Sequence, residues 1–146
     1  MTLINKLPEA FRTRPYITVN LVLALVIVII FLYSAVFSPQ KNNYPLVCIH
    51  EKITGKPCVS CGLSHSFSLI LRGKINEALN WNPYGLRIFL FFLAQLLMRI
   101  TFSVFYIRAE EYRKQLIIYD ISGTILLFLI TFYPFLAYIV SSLIQA

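Results

Sequence analysis

The three cysteines and both histidines of this chain fall in one stretch, Cys48-Ile-His50-Glu-Lys-Ile-Thr-Gly-Lys-Pro57-Cys58-Val-Ser-Cys61-Gly62-Leu-Ser-His65. Thiolate and imidazole are the donors of tetrahedral zinc. Cys58-x-x-Cys61 has the spacing of a ligand pair, and His65 follows Cys61 by one helical turn. Cys48, Cys58, Cys61 and either His65 or His50 could therefore hold one ion. Structural zinc contributes about 10 kcal/mol or more in small peptides, enough to order such a loop. The same cysteines allow a disulfide. Joining Cys48 to Cys58 or to Cys61 closes a loop of about ten to fourteen residues, worth around 3 kcal/mol in the chain-entropy model, and an oxidising compartment favours it. In a third reading the cysteines are small apolar packing residues. The sequence leaves all three open, and zinc is the one cofactor it suggests.

Catalytic chemistry has weaker support. A thiol at a helix start is readily deprotonated, and His65 could assist Cys58 or Cys61, but no thioredoxin-like alternation of strand and helix surrounds the motif. Ser60, Ser64, Ser66 and Ser68 lie near His65, yet Ser64 and Ser66 are its immediate neighbours and the nearby carboxylates are limited to Glu51 and Glu77. A hydrolase triad is a poor fit. Neither a glycine-rich phosphate loop nor a pair of catalytic carboxylates is present.

The elements that must position this stretch are apolar. The chain has 146 residues, 58% of them hydrophobic, and a mean hydropathy of +0.73. A chain of this size cannot hide that much apolar surface from water, so lipid is the expected solvent. The net charge of +7 is spread between apolar runs, which suits anionic headgroups rather than nucleic acid. The expectation is one all-α integral membrane domain over residues 1–146. Its first span runs over about 16–37, the cysteine loop with short amphipathic interfacial helices over 38–82, the second span over about 84–107 and the third over about 116–144. Each span has the roughly twenty apolar residues that ~30 Å of hydrocarbon requires. The first is too long for a signal-peptide core, and Phe37-Ser-Pro39 lacks a small-x-small cleavage site. Its lone amide, Asn20, is outweighed by the surrounding Leu, Ile, Val and Phe.

Within the loop region, Leu63, Phe67 and Ile70 recur at helical spacing with Cys61, His65, Ser68 and Arg72 opposite, which predicts a short amphipathic helix. Gly73 is placed to end it. Asn82-Pro83 predicts the start of the second span, Asn82 as the cap and Pro83 at the first helical position. In that span Arg99 is expected to snorkel toward the Arg108 end, and a pairing with Asp120 on the third span is the specific alternative. Gly123 can allow close helix approach and Pro134 can kink the third span.

The pattern Cys48, Pro57-Cys58-x-x-Cys61-Gly62-Leu63-Ser64-His65, Leu71-Arg72-Gly73, Ala78 and Asn82-Pro83 resembles the bacterial membrane family called domain of unknown function 2752. That family's signature is similar to Cys-Pro-x-Cys-Gly-x-Thr-Arg, followed by Leu-x-x-Gly-Asp and Asn-Pro. The resemblance covers roughly residues 44–92. Val59 replaces the usual proline, Ser64-His65 the usual Thr-Arg, and Lys74 the usual acid. The resemblance implies a small multi-pass bacterial membrane protein and carries no established activity.

Lys6, Arg12 and Arg14 precede the first span, and the turn from Arg108 to Lys114 is also dense in positive charge, so the positive-inside bias favours the amino terminus inside and the cysteine loop outside. The expected setting is the bacterial cytoplasmic membrane. The expected function is a non-enzymatic accessory or assembly subunit whose partner is another membrane protein or a second copy. A membrane thiol-redox or metal-dependent enzyme using Cys58, Cys61 and His65 is the alternative.

Overall fold

Tyr16 to Val36 is an unbroken run of apolar and β-branched residues carrying only Thr18, Asn20 and Ser34 as polar interruptions, and it folds as helix α1, Pro15–Val36. Pro15 stands at the first helical position, where its missing N–H costs nothing. The computed structural model describes residues 14–36 and 62–144, with side chains to 137. Four more helices follow: α2 (Leu63–Leu71), α3 (Ile75–Trp81), α4 (Gly85–Arg108) and α5 (Arg113–Ile144). No strand occurs among the described residues.

Helices α1, α4 and α5 are long and apolar enough to cross a membrane. Their burial pattern is the reverse of a water-soluble protein. The buried face of α1 runs through Ile17, Asn20, Ala24, Ile27 and Ser34, while Val19, Leu25, Ile29 and Leu32 are exposed. On α4 and α5 the buried positions include Gln95, Arg99, Ser103, Asp120 and Thr131, with Leu97, Ile118 and Leu126 exposed. Leucine and isoleucine outside with amides and charges inside is stable only when the outer solvent is apolar. The chain is a membrane protein.

Two compact units are present, one formed by Met1–Val26 with Phe91–Ala146 and the other by Ile27–Leu90. In the first, the three long helices contribute Asn20, Arg99 and Asp120 to one polar centre. The Ser103 hydroxyl is satisfied within its own helix, Oγ donating to the Arg99 carbonyl at 2.6 Å. Aromatic packing of Phe91 against Phe132, edge to face at 5.3 Å, joins α4 to α5. Gly123 faces Met98, and a methyl group placed there would approach the Met98 Cε to 3.1 Å. Helix α5 continues through Pro134. It begins at Arg113 rather than near 116, because Glu110 ahead of it pairs with Arg113 and the Arg113 guanidinium lies 5.2 Å from the Tyr106 ring.

In the second unit α2 packs on α3 and on the first residues of α4. Phe89 touches Phe31 of α1 at 4.9 Å and Phe67 of α2 at 5.5 Å. The sequence predicts an apolar stripe on α2. The structure instead buries a complete turn, Ser66, Phe67, Ser68 and Leu69. Ser66 lies against Gly85, where no side chain fits, so the seryl face is selected for size rather than polarity.

Candidate functional site

The cysteine stretch is framed by residues of the second unit. Gly62 opens α2 with φ +81, and a methyl group there would meet the Trp81 carbonyl oxygen at 2.6 Å. Two independent constraints therefore require glycine, left-handed backbone and close approach. At the other end of α2, Gly73 has φ +75. Its N–H donates to the Ile70 carbonyl at 2.9 Å, and the Lys74 N–H donates to the Leu69 carbonyl at 2.9 Å. This paired closure satisfies two carbonyls that the helix end would leave bare.

Arg72, just past that end, reaches back across the unit. Its Nη1 donates to the Ser68 carbonyl at 2.9 Å and to the Ser68 hydroxyl, and its Nη2 donates to the Ala35 carbonyl at 3.0 Å. Ala35 belongs to the last turn of α1, whose carbonyls have no partner within their own helix. The last turn of α1 and helix α2, which flank 37–61 in the chain, are thus tied by one guanidinium.

His65 stacks on Trp81, ring centroids 4.3 Å apart and nearly parallel. Asn82 Oδ1 accepts from the Tyr84 N–H at 2.8 Å, and the Asn82 carbonyl accepts from the Gly85 N–H at 3.0 Å. Asn82-Pro83 forms the turn into α4, which begins at Gly85, two residues past Pro83. The side chain of Asn82 prefers to close its own turn, and Pro83 follows it in the turn rather than in the helix. Lys74 pairs with Glu77 at 3.0 Å on the exposed face of α3.

Cys48, His50, Cys58 and Cys61 lie outside the described residues. Among the described residues no three His, Cys, Asp or Glu side chains gather as metal ligands would.

A second polar centre lies within the three spans. The Arg99 Nη2 is 2.7 Å from Asp120 Oδ1, and its Nη1 donates to Asp120 Oδ2 at 3.0 Å and to Asn20 Oδ1 at 2.8 Å. Gln95 Oε1 accepts from Arg99 at 3.3 Å, and the Thr124 hydroxyl accepts a further bond. The Tyr16 hydroxyl donates to Asp120 Oδ2 at 2.6 Å. Arg99 is 7% exposed and Asp120 and Asn20 are each 1% exposed. Snorkelling, the first expectation for Arg99, does not describe this geometry. The cation turns inward because two carboxylate oxygens, two amide oxygens and a hydroxyl surround it, whereas a route to the headgroups would leave Asp120 buried alone.

Asn20, Gln95, Thr124 and Tyr16 were not singled out as site residues from the sequence. The signal was there: Gln95 precedes Arg99 by four residues and Thr124 follows Asp120 by four, which places each on the face of its charged neighbour.

Arg14 lies 3.6 Å from Glu110, which also pairs with Arg113. Tyr106 packs against Tyr16, the two rings tilted with centroids 4.7 Å apart. A chain of polar and aromatic groups thus leads from the 108–114 turn to Asp120.

No curated protein and no solved structure matches the chain. Of the second polar centre, only Gln95 falls inside the stretch that a family description covers. Residues 48–96 match the family described as a protein of unknown function, DUF2752.

Proposed function

We propose that this protein is a non-enzymatic accessory or assembly subunit of the bacterial cytoplasmic membrane, built to hold the cysteine stretch in a fixed place for another membrane protein or a second copy of itself. The observation that carries the reading is the Arg99 centre, in which one cation donates bonds to side chains of all three spans. Breaking a buried pair by removing one partner costs about 3–5 kcal/mol, so such a centre holds helices in register. The Arg72 bond to Ala35 and the approach of Gly62 to Trp81 support the same reading, because they fix the residues on either side of 37–61.

In this reading the amino terminus is inside, the cysteine stretch is outside, and Cys48, Cys58 and Cys61 clamp the loop, either as zinc ligands with His65 or His50 or through a disulfide. Substituting Ser for Cys58 and for Cys61 is the test. Loss of protein level with each, together with bound zinc or one free thiol in the wild type, supports a clamp. Normal abundance with lost thiol exchange overturns it in favour of a membrane thiol-redox or metal-dependent enzyme. That second reading draws on the His65 ring held flat against Trp81 at the start of α2, a placement that fixes the orientation of an imidazole four residues after Cys61 in the chain. Co-purification from native membranes, with metals measured on the same sample, identifies the partner.

A further inference from the structure

The Arg99 centre is electrically neutral but unevenly bonded. Arg99 and Asp120 cancel in charge, and Tyr16, Asn20, Gln95 and Thr124 carry none. Three nitrogens of this set, Arg99 Nε, Asn20 Nδ2 and Gln95 Nε2, nevertheless have no hydrogen-bond partner in the protein, and Asp120 Oδ1 has none beyond its ion pair with Arg99 Nη2 at 2.7 Å. Each belongs to a side chain more than nine-tenths buried. The amide oxygens of Asn20 and Gln95 are already turned to Arg99, so exchanging nitrogen for oxygen in either amide would set a donor against a cation. The three nitrogens are donors by necessity, and the one acceptor among the orphaned atoms, Asp120 Oδ1, is already neutralised by Arg99.

We infer that this centre is a hydrated site within the spans, binding a neutral hydrogen-bond acceptor of which water is the smallest. Donors require an acceptor, which rules out a metal cation as the occupant. An anion would add an uncompensated charge beside Asp120 in hydrocarbon, which the low dielectric penalises. A neutral acceptor meets the donors and leaves the charge balance intact. The approach is from the Tyr16 end, because Tyr16 and Thr124 are the half-buried members of the set and the polar groups Arg14, Glu110 and Arg113 continue outward from there.

The test uses the full-length protein with 15N-labelled arginine in phosphatidylcholine and phosphatidylglycerol vesicles. The Arg99 side-chain signals are assigned by their loss in Arg99→Lys. In water-edited solid-state NMR, magnetisation is expected to reach the Arg99 Nε as fast as it reaches the half-exposed Arg113. Build-up at Arg99 as slow as at lipid-facing span residues means a dry centre and overturns the inference. A saturable shift of the Arg99 signals with inorganic phosphate at constant ionic strength overturns it as well, since the occupant would then be an anion.

Discussion

Arg99 on α4 and Asp120 on α5 form a buried ion pair, 2.7 Å between Nη2 and Oδ1, inside a set of helices whose outer surface is leucine, isoleucine and valine. A lone cation near the middle of a span costs ~3 kcal/mol to insert. The pair removes that cost and converts it into a requirement that α4 and α5 meet in one register.

Charge reversal of either residue alone, Arg99→Asp or Asp120→Arg, is expected to destabilise the protein by about 3–5 kcal/mol, because a like-charged pair is then buried. The double reversal is expected to recover at least about 1 kcal/mol of that loss as coupling. Thermal unfolding in a mild detergent measures it. Additive losses with no recovery would show that the two side chains act independently.

Gly62 and Gly85 are both irreplaceable, for different reasons that rescue can separate. Gly62→Ala meets a backbone carbonyl, that of Trp81, and must hold positive φ, so a loss of about 1–3 kcal/mol is expected that no side-chain trimming restores. Gly85→Ala meets the side chain of Ser66. A loss of about 1–3 kcal/mol from overpacking is expected there, and Ser66→Gly in the same chain should return much of it. If Ser66→Gly gives no relief, the contact between α2 and α4 is not the one described.

Ser66 also has a buried hydroxyl without a hydrogen-bond partner in the protein. Ser66→Ala keeps the size that Gly85 tolerates next to it and removes the orphaned polar atom, so stability is expected to stay the same or rise by up to about 1 kcal/mol. A large loss in the melting temperature would reveal a bond that the Ser66 hydroxyl makes.

Arg72→Met keeps most of the aliphatic stem and removes the bonds to Ser68 and Ala35. Because Arg72 is exposed at the surface of its unit, the global loss is expected to be modest, about 1 kcal/mol. Hydrogen exchange should rise locally in the last turn of α1 and in α2. Uniform protection in the variant would show that the guanidinium does not hold the end of α1.

The proposed orientation has a direct check at Lys41, in the segment between α1 and α2. A tag at that position is expected to be modified by a membrane-impermeant reagent added to intact cells. Modification only after the cells are opened would place the cysteine stretch in the cytoplasm and remove the oxidising compartment that favours a disulfide.

The number and length of the spans were legible in the sequence, because crossing ~30 Å of hydrocarbon demands a run of about twenty apolar residues and little else in a chain looks like that. Runs of that kind became α1, α4 and α5. The end of α2 at Gly73 was also within reach, since glycine just past a short helical pattern is a local signal. Which way Arg99 turned was not local. A cation inside a span can reach headgroups or a buried acid, and the choice depends on whether Asp120 and Asn20 arrive on the same side when three separate helices pack. The burial of Ser66 and Ser68 has the same origin: polarity read along α2 points outward, but the space left by Gly85 admits only small side chains. Hydropathy along the chain fixes what dissolves in lipid, whereas the polar bonds made between helices exist only once distant faces have met.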